Sequence, residues 1–284
     1  MTITNSETAY EQAVRQQAER TGHRPGPGSV TLAGVFRSEL IKLRSVVSTT
    51  ASLLIAAIAT IGIPAIAAIA VLAQSSVDGD MSGANDPTGG SLSGIGAAVF
   101  AALTLGVLTV SNEYSTGTVR SSLAAVPKRS LLVWGKALAL LSIILPVGVA
   151  SALTAFAVAH LILSAGGQSI SLTEPGVARA VIGAGLYLGV AAVLASGLAW
   201  MLRSTAGSLA VVVGVLFFLP TVGLLLPARV AGQVVPFLPN NAGTAIMQIT
   251  TSGQPGPWLG IAVFAGYAAI TLAAAGYVVN RRDS

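Results

Sequence analysis

The densest polar chemistry of the chain lies in one stretch, residues 112–129, which reads NEYSTGTVRSSLAAVPKR. Glu113 offers a carboxylate. Thr116 and Thr118 offer hydroxyls on either side of Gly117, and Arg120, Lys128 and Arg129 offer cations. Such a set pairs with the charges and hydrogen-bonding groups of a partner. It is not equipped for covalent chemistry, because it holds no histidine and the whole chain holds no cysteine. The patterns GxxxxGK[ST], HExxH and GxSxG are all missing, so the chain is expected to bind no ATP itself and to be no enzyme. His23 and His160 stand alone, so neither a metal nor another cofactor is expected.

Within this stretch Ser115 or Thr116 can cap a helix that Pro127 ends. At 100° per residue, Val119, Leu123 and Val126 project within about 60° of one another. Two turns are too short to be stable alone. The patch fits either the groove of a partner or a plain connector whose charges only set topology.

The elements around it are apolar. Hydrophobic residues make up 53% of the 284 and charged residues 9%, against about 25% charged in soluble domains. The uncharged runs hold 33 residues after Arg44, 26 after Asp86, 37 after Lys136, 23 after Arg179, 25 after Arg203 and 51 after Arg229. A crossing of the hydrocarbon core needs about 20. The expected fold is therefore all-α and integral to the membrane, with six transmembrane helices at about 46–73, 92–111, 138–163, 180–202, 207–226 and 258–279. Residues 1–31 are a polar tail, and 32–284 form the membrane domain. Residues 230–257 are uncharged but carry Gln233, Asn240, Asn241, Gln248 and four prolines. They read as a loop with short helices near 228–235 and 241–250, because lipid would strand their polar groups. Gly185-xxx-Gly189 and Gly256-xxx-Gly260 are candidate close-packing pairs.

Residues 32–45, TLAGVFRSELIKLR from Thr31 onward, place Leu32, Val35, Phe36, Leu40 and Leu43 on one face. This predicts an amphipathic interfacial helix before the first span. Glu39 falls inside its apolar stripe, where a carboxylate needs a partner. Lys42 is the local candidate, and Arg120 or Lys136 the distant one. With both termini cytoplasmic, the inner segments after the tail hold ten Lys and Arg, and the outer ones hold only Arg179 and Arg229. The predicted span interiors lack Asp, Glu, Lys and Arg, which argues against ion-driven transport. The net charge of +5 is then loop charge, and no nucleic acid is expected as a partner.

The segment NEYSTGTVRSSLAAVPKRSLLVWGK resembles the stretch after the second span in type-two ABC exporter permeases. RSELIKLRS before the first span and NRRD after the last resemble the same family. The resemblance implies a permease subunit in a bacterial inner membrane. It implies pairing with a second permease copy or a paralogue, and docking on two cytoplasmic ABC ATPase subunits. Glu113, Thr116, Gly117, Thr118, Arg120 and Leu123 would then sit at the ATPase contact, with Val119 and Val126 of the apolar patch beside them. The apolar spans suit an apolar or amphipathic cargo such as a drug, peptide or lipid. A membrane scaffold that recruits a cytoplasmic partner through the same stretch is the alternative.

Because no native cysteine interferes, topology is directly readable. An impermeant thiol reagent should label Asn85→Cys and Asn241→Cys in intact cells, and should spare Ser121→Cys and Asp283→Cys. Labelling at 283 with none at 241 reverses the orientation.

Overall fold

The computed structural model describes residues 31–78, 90–125, 129–167, 171–249 and 255–282. The polar tail, residues 79–89 and Val126, Pro127 and Lys128 lie outside them. The described residues are helical, with no strand among them. The helices are α1 (Leu32–Ser45), α2 (Val47–Asp78), α3 (Ile95–Ser115), α4 (Thr118–Ala125), α5 (Arg129–Ala165) and α6 (Val177–Leu202). They continue with α7 (Thr205–Gly223), α8 (Ala228–Val234), α9 (Pro239–Thr244) and α10 (Pro257–Arg282). Six of them, α2, α3, α5, α6, α7 and α10, are long and apolar enough to cross a membrane. They fall on the six predicted spans.

The boundaries differ where hydropathy and helix formation part company. The second helix runs on to Ser115 and the third begins at Arg129, nine residues before the predicted 138. Charge ends an apolar run, but it does not end a helix. Glu113 and Lys136, which the sequence reads as loop residues, are therefore helical. Pro64 and Pro146 lie inside α2 and α5. In α7 the segment Gly214–Phe218 opens into a π-helical turn just before Pro220. The proline ring would clash with the carbonyl of Leu216, and the wider turn relieves it.

Helix α6 is the hub. Its buried residues fall on every face, and α3, α5 and α10 pack around it. Small residues allow this. A Cβ added at Gly185 would lie 2.6 Å from the backbone nitrogen of Val149 and 2.9 Å from the carbonyl of Leu145, so α5 and α6 touch through backbone. Gly189 faces Leu141 on the same seam. The Gly185-xxx-Gly189 pair is thus a packing seam. Of the second pair only Gly260 meets a neighbour, at Ala242, while Gly256 is open.

The segment after α7 lies alongside α6 and α10 rather than beyond their ends. Gly243 packs against Tyr187 and Phe264, and Tyr187 is ten residues into α6, about 15 Å along its axis. Polar groups there find partners within the protein. The Tyr187 hydroxyl donates to Asn240 Oδ1 at 2.7 Å, and Asn241 Nδ2 donates to the carbonyl of Val235 at 2.9 Å. The Arg179 guanidinium donates to the carbonyls of Ile246 and Gln248 at 2.8 and 2.9 Å. The two short helices were expected near 228–235 and 241–250. The second starts at Pro239, which is preset for a first helical turn, and gives way to a 3-10 turn over Ala245–Met247.

The seam gives a direct test. Gly185→Ala should force α5 and α6 apart and cost about 1–3 kcal/mol. Gly266→Ala, where a Cβ meets nothing within 4 Å, should be neutral or slightly stabilising. Thermal unfolding of the purified protein in detergent compares them.

Candidate functional site

Helix α1 buries Val35, Glu39 and Leu43, a line spaced four residues apart. Phe36 and Leu40 are half-buried at its flank, and Leu32 is exposed. The buried face is thus rotated from the predicted stripe, and the carboxylate of Glu39 stands at its centre. This face rests on α5. A Cβ at Gly135 would clash with the Val35 side chain, so the absence of one lets the two helices meet. The next residue on α5 is Lys136.

Four charges converge there. Lys136 Nζ donates to Glu39 Oε2 at 2.5 Å and to Glu113 Oε1 at 2.9 Å. Lys42 Nζ donates to Glu39 Oε1 at 2.9 Å and to Glu113 Oε1 at 3.2 Å. Each lysine touches each glutamate, so the pairs close into a ring of alternating sign with zero net charge. Glu39 and Lys136 are almost wholly buried, Glu113 is 12% exposed and Lys42 is 47% exposed. The ring joins α1, α3 and α5, and Lys42 also reaches Ser122 Oγ of α4 at 3.4 Å.

Burial pushes the Glu39 carboxyl up. The Lys136 charge and the hydrogen bonds from both lysines outweigh this and hold it below its ordinary 4.5. Burial likewise pushes the Lys42 ammonium down, but Glu39 and Glu113 hold it above its ordinary 10.5. Both groups therefore stay charged at neutral pH.

A cleft of about 420 Å³ opens beside the ring, between the starts of α2 and α4 and the ends of α1 and α3. Hydroxyls line much of it, among them Ser48, Thr49, Thr109, Thr118 and Ser121. The second oxygen of Glu113, Oε2, is buried with no hydrogen-bond partner among the described residues.

The turn into α4 differs from the expected cap. Ser115 is the last residue of α3, and Thr116 closes that helix, its N–H and hydroxyl both donating to the carbonyl of Asn112. Gly117 follows at φ +73, a conformation that glycine adopts without penalty. The Thr116 and Thr118 hydroxyls then meet at 2.9 Å. Thr118 and Ser121 are exposed. Val119 is 7% exposed and packs into the protein's own core, so it does not belong to an outward apolar patch. An eight-residue helix cannot stand alone, and Val119 is what fixes this one. The side chains of Arg120 and Leu123, and the whole of Val126, lie outside the described residues.

Three further residues meet at this end. Tyr114 meets Trp200 edge-on at 5.8 Å between ring centroids, and the Arg203 guanidinium sits 5.0 Å over the Tyr114 ring. They tie the end of α3 to the end of α6. The sequence reads Arg203 only as a topology charge.

The ring offers linkage rather than reaction. It holds three helices in one geometry through charge-assisted bonds. No protein-family model matches this chain, and no curated protein matches it.

Breaking a buried pair by removing one partner costs about 3 kcal/mol or more, because a desolvated charge is left behind. Glu39→Gln should therefore destabilise the protein far more than Arg44→Gln on the exposed face of α1. Joint replacement Glu39→Lys with Lys136→Glu should not rescue the loss, because the swapped charges would face Lys42 and Glu113 of like sign. The Glu39 contribution is present above its ordinary 4.5 and is lost as pH falls through its lowered value. Unfolding midpoints against pH should show an acid limb below 4.5 in the wild type that Glu39→Gln removes. Equal, small effects from Glu39→Gln and Arg44→Gln would mean that the ring contributes nothing.

Proposed function

We propose that this chain is the permease subunit of an ATP-driven ABC exporter in a bacterial inner membrane. In this reading both termini are cytoplasmic, α1 lies at the inner membrane surface, and α4 is the contact for a cytoplasmic ATPase. A second permease copy or a paralogue completes the transporter, and the cargo is apolar or amphipathic. The observation that carries the reading is the ring of Glu39, Lys42, Glu113 and Lys136 set against α4. A force on α4 acts at once on α3, its neighbour in sequence, and through Lys42 and Glu113 on α1 and α5. A plain connector between two spans has no need of a buried ionic joint that costs desolvation to build.

Three features support it. The ten-to-two excess of basic residues puts the ring end inside. The segment 112–136 resembles the type-two exporter permeases, as set out above. The apolar faces of α2 and α7 are largely exposed, with Ile58, Ile66, Phe218 and Leu219 among them. Such faces suit lipid and a partner subunit.

Co-purification of the ATPase beside cargo efflux from cells tests this reading. Ser121→Arg, on the exposed face of α4, should weaken ATPase binding at least about tenfold and abolish efflux, while the permease still inserts. Val119→Ala should instead lower stability by about 2 kcal/mol, because that side chain is anchored inward. If Ser121→Arg keeps both the ATPase and full efflux, α4 is a connector and the scaffold or another reading takes over.

A further inference from the structure

On the flank of α1 away from the polar cleft, a second groove runs between α1 and α5. It holds about 730 Å³ and is lined by Leu32, Ala33, Phe36, Leu138, Leu141, Ser142, Leu145 and Pro146, so seven of its eight lining residues are apolar. The α5 wall is one helical stripe. Leu138, Leu141 and Leu145 fall within about 60° of one another, and Trp134 stands on the same stripe one turn before them. Trp134 and Leu138 are each 41% exposed. A tryptophan ahead of an aliphatic stripe is the arrangement found at membrane interfaces, with the ring at headgroup level and the aliphatics below.

The α1 wall carries the complementary charge. Arg37 follows Phe36 directly and lies about 40° round the helix from Ala33, so it borders the groove. Lys42 is committed to the ionic ring on the opposite flank. Arg37 is exposed and forms no ion pair with any described residue. The flank therefore combines an apolar trough, an interfacial tryptophan and an uncommitted guanidinium, which matches a phosphate or other anionic headgroup with an acyl chain beneath it.

We propose that this groove binds one acyl chain of an anionic phospholipid of the cytoplasmic leaflet, with Arg37 on its headgroup. The site rests on the reading that α1 lies at the cytoplasmic membrane surface, and it is independent of any ATPase.

The test uses the purified full chain in vesicles of phosphatidylcholine with and without phosphatidylglycerol, followed by detergent extraction and mass spectrometry of the lipid retained. Wild type should retain phosphatidylglycerol in preference to phosphatidylcholine. Arg37→Gln should reduce that retention about fivefold, the effect of one basic residue at an anionic surface. Ser142→Trp fills the trough from an exposed position and should abolish retention, with thermal unfolding in detergent unchanged. Arg44→Gln, further along α1, should have the smaller effect. Equal losses from Arg37→Gln and Arg44→Gln would reduce the preference to general surface charge and overturn the site. Undiminished retention in Ser142→Trp, or no preference in the wild type, would overturn it too, the latter leaving the groove to the polar tail or a second copy. A spin label at Ile41→Cys, on the exposed face of α1, reads the depth of that helix separately. A label at the membrane surface with no lipid preference sinks the site alone. A label far from the membrane sinks the reading beneath it.

Discussion

Glu39 can be buried only if two ammonium groups come to it, and that requirement organises one whole end of the protein. A carboxylate on the packed face of α1 would cost several kcal/mol in isolation. Lys42 lies three residues on along the same helix and reaches one oxygen. The other oxygen is met by Lys136 of α5, which is in place only because Gly135 lets α1 come close. With two lysines gathered, a second carboxylate is needed to keep the site neutral. Glu113 supplies it, and with it the end of α3. The turn at Thr116 and Gly117, and the inward anchoring of Val119, then follow from where α3 must end.

Elsewhere among the described residues the packing rests on other contacts. Along α6 the helices are held by backbone approach at small residues, as at Gly185, Gly148 and Gly106. Such contacts tolerate little change, because a methyl group has nowhere to go. The far end is different again. Its segment 228–249 is fixed by neutral donors and by one arginine, Arg179, which spends its hydrogen bonds on backbone carbonyls. The protein therefore has an ionic end, a close-packed middle and a hydrogen-bonded end. At the first, long and adjustable side chains join α1, α3 and α5.

The six long helices were legible because hydropathy is a property of local sequence. The need for a partner at Glu39 was legible for the same reason, since a charge inside an apolar stripe is visible at 100° per residue. The sequence offers Lys42 as the local partner and Arg120 or Lys136 as the distant one, and the structure uses Lys42 and Lys136. The role of Glu113 was not legible, because nothing local connects it with a helix more than seventy residues earlier. It was read as part of a surface contact, and it is mostly enclosed. Val119 failed in the opposite sense. Periodicity reports which residues share a face but not whether that face turns outward, and α4 spends its first apolar residue on its own attachment.

The placement of charge bears on how energy could enter such a protein. An ion-driven carrier needs a titratable group that the ion reaches from either side, near the middle of the bilayer. Glu39 and Glu113 are instead paired to lysines at one end, and the Glu39 carboxyl is held below its ordinary range, away from any physiological proton exchange. A ring of this kind responds to displacement, since moving any one of α1, α3 or α5 stretches ion pairs to the others. Neutrality also limits the cost of movement, because the pairs can lengthen and take up water without stranding net charge in a low dielectric. On the proposed reading, a joint of that character passes work delivered at α4 to three helices at once.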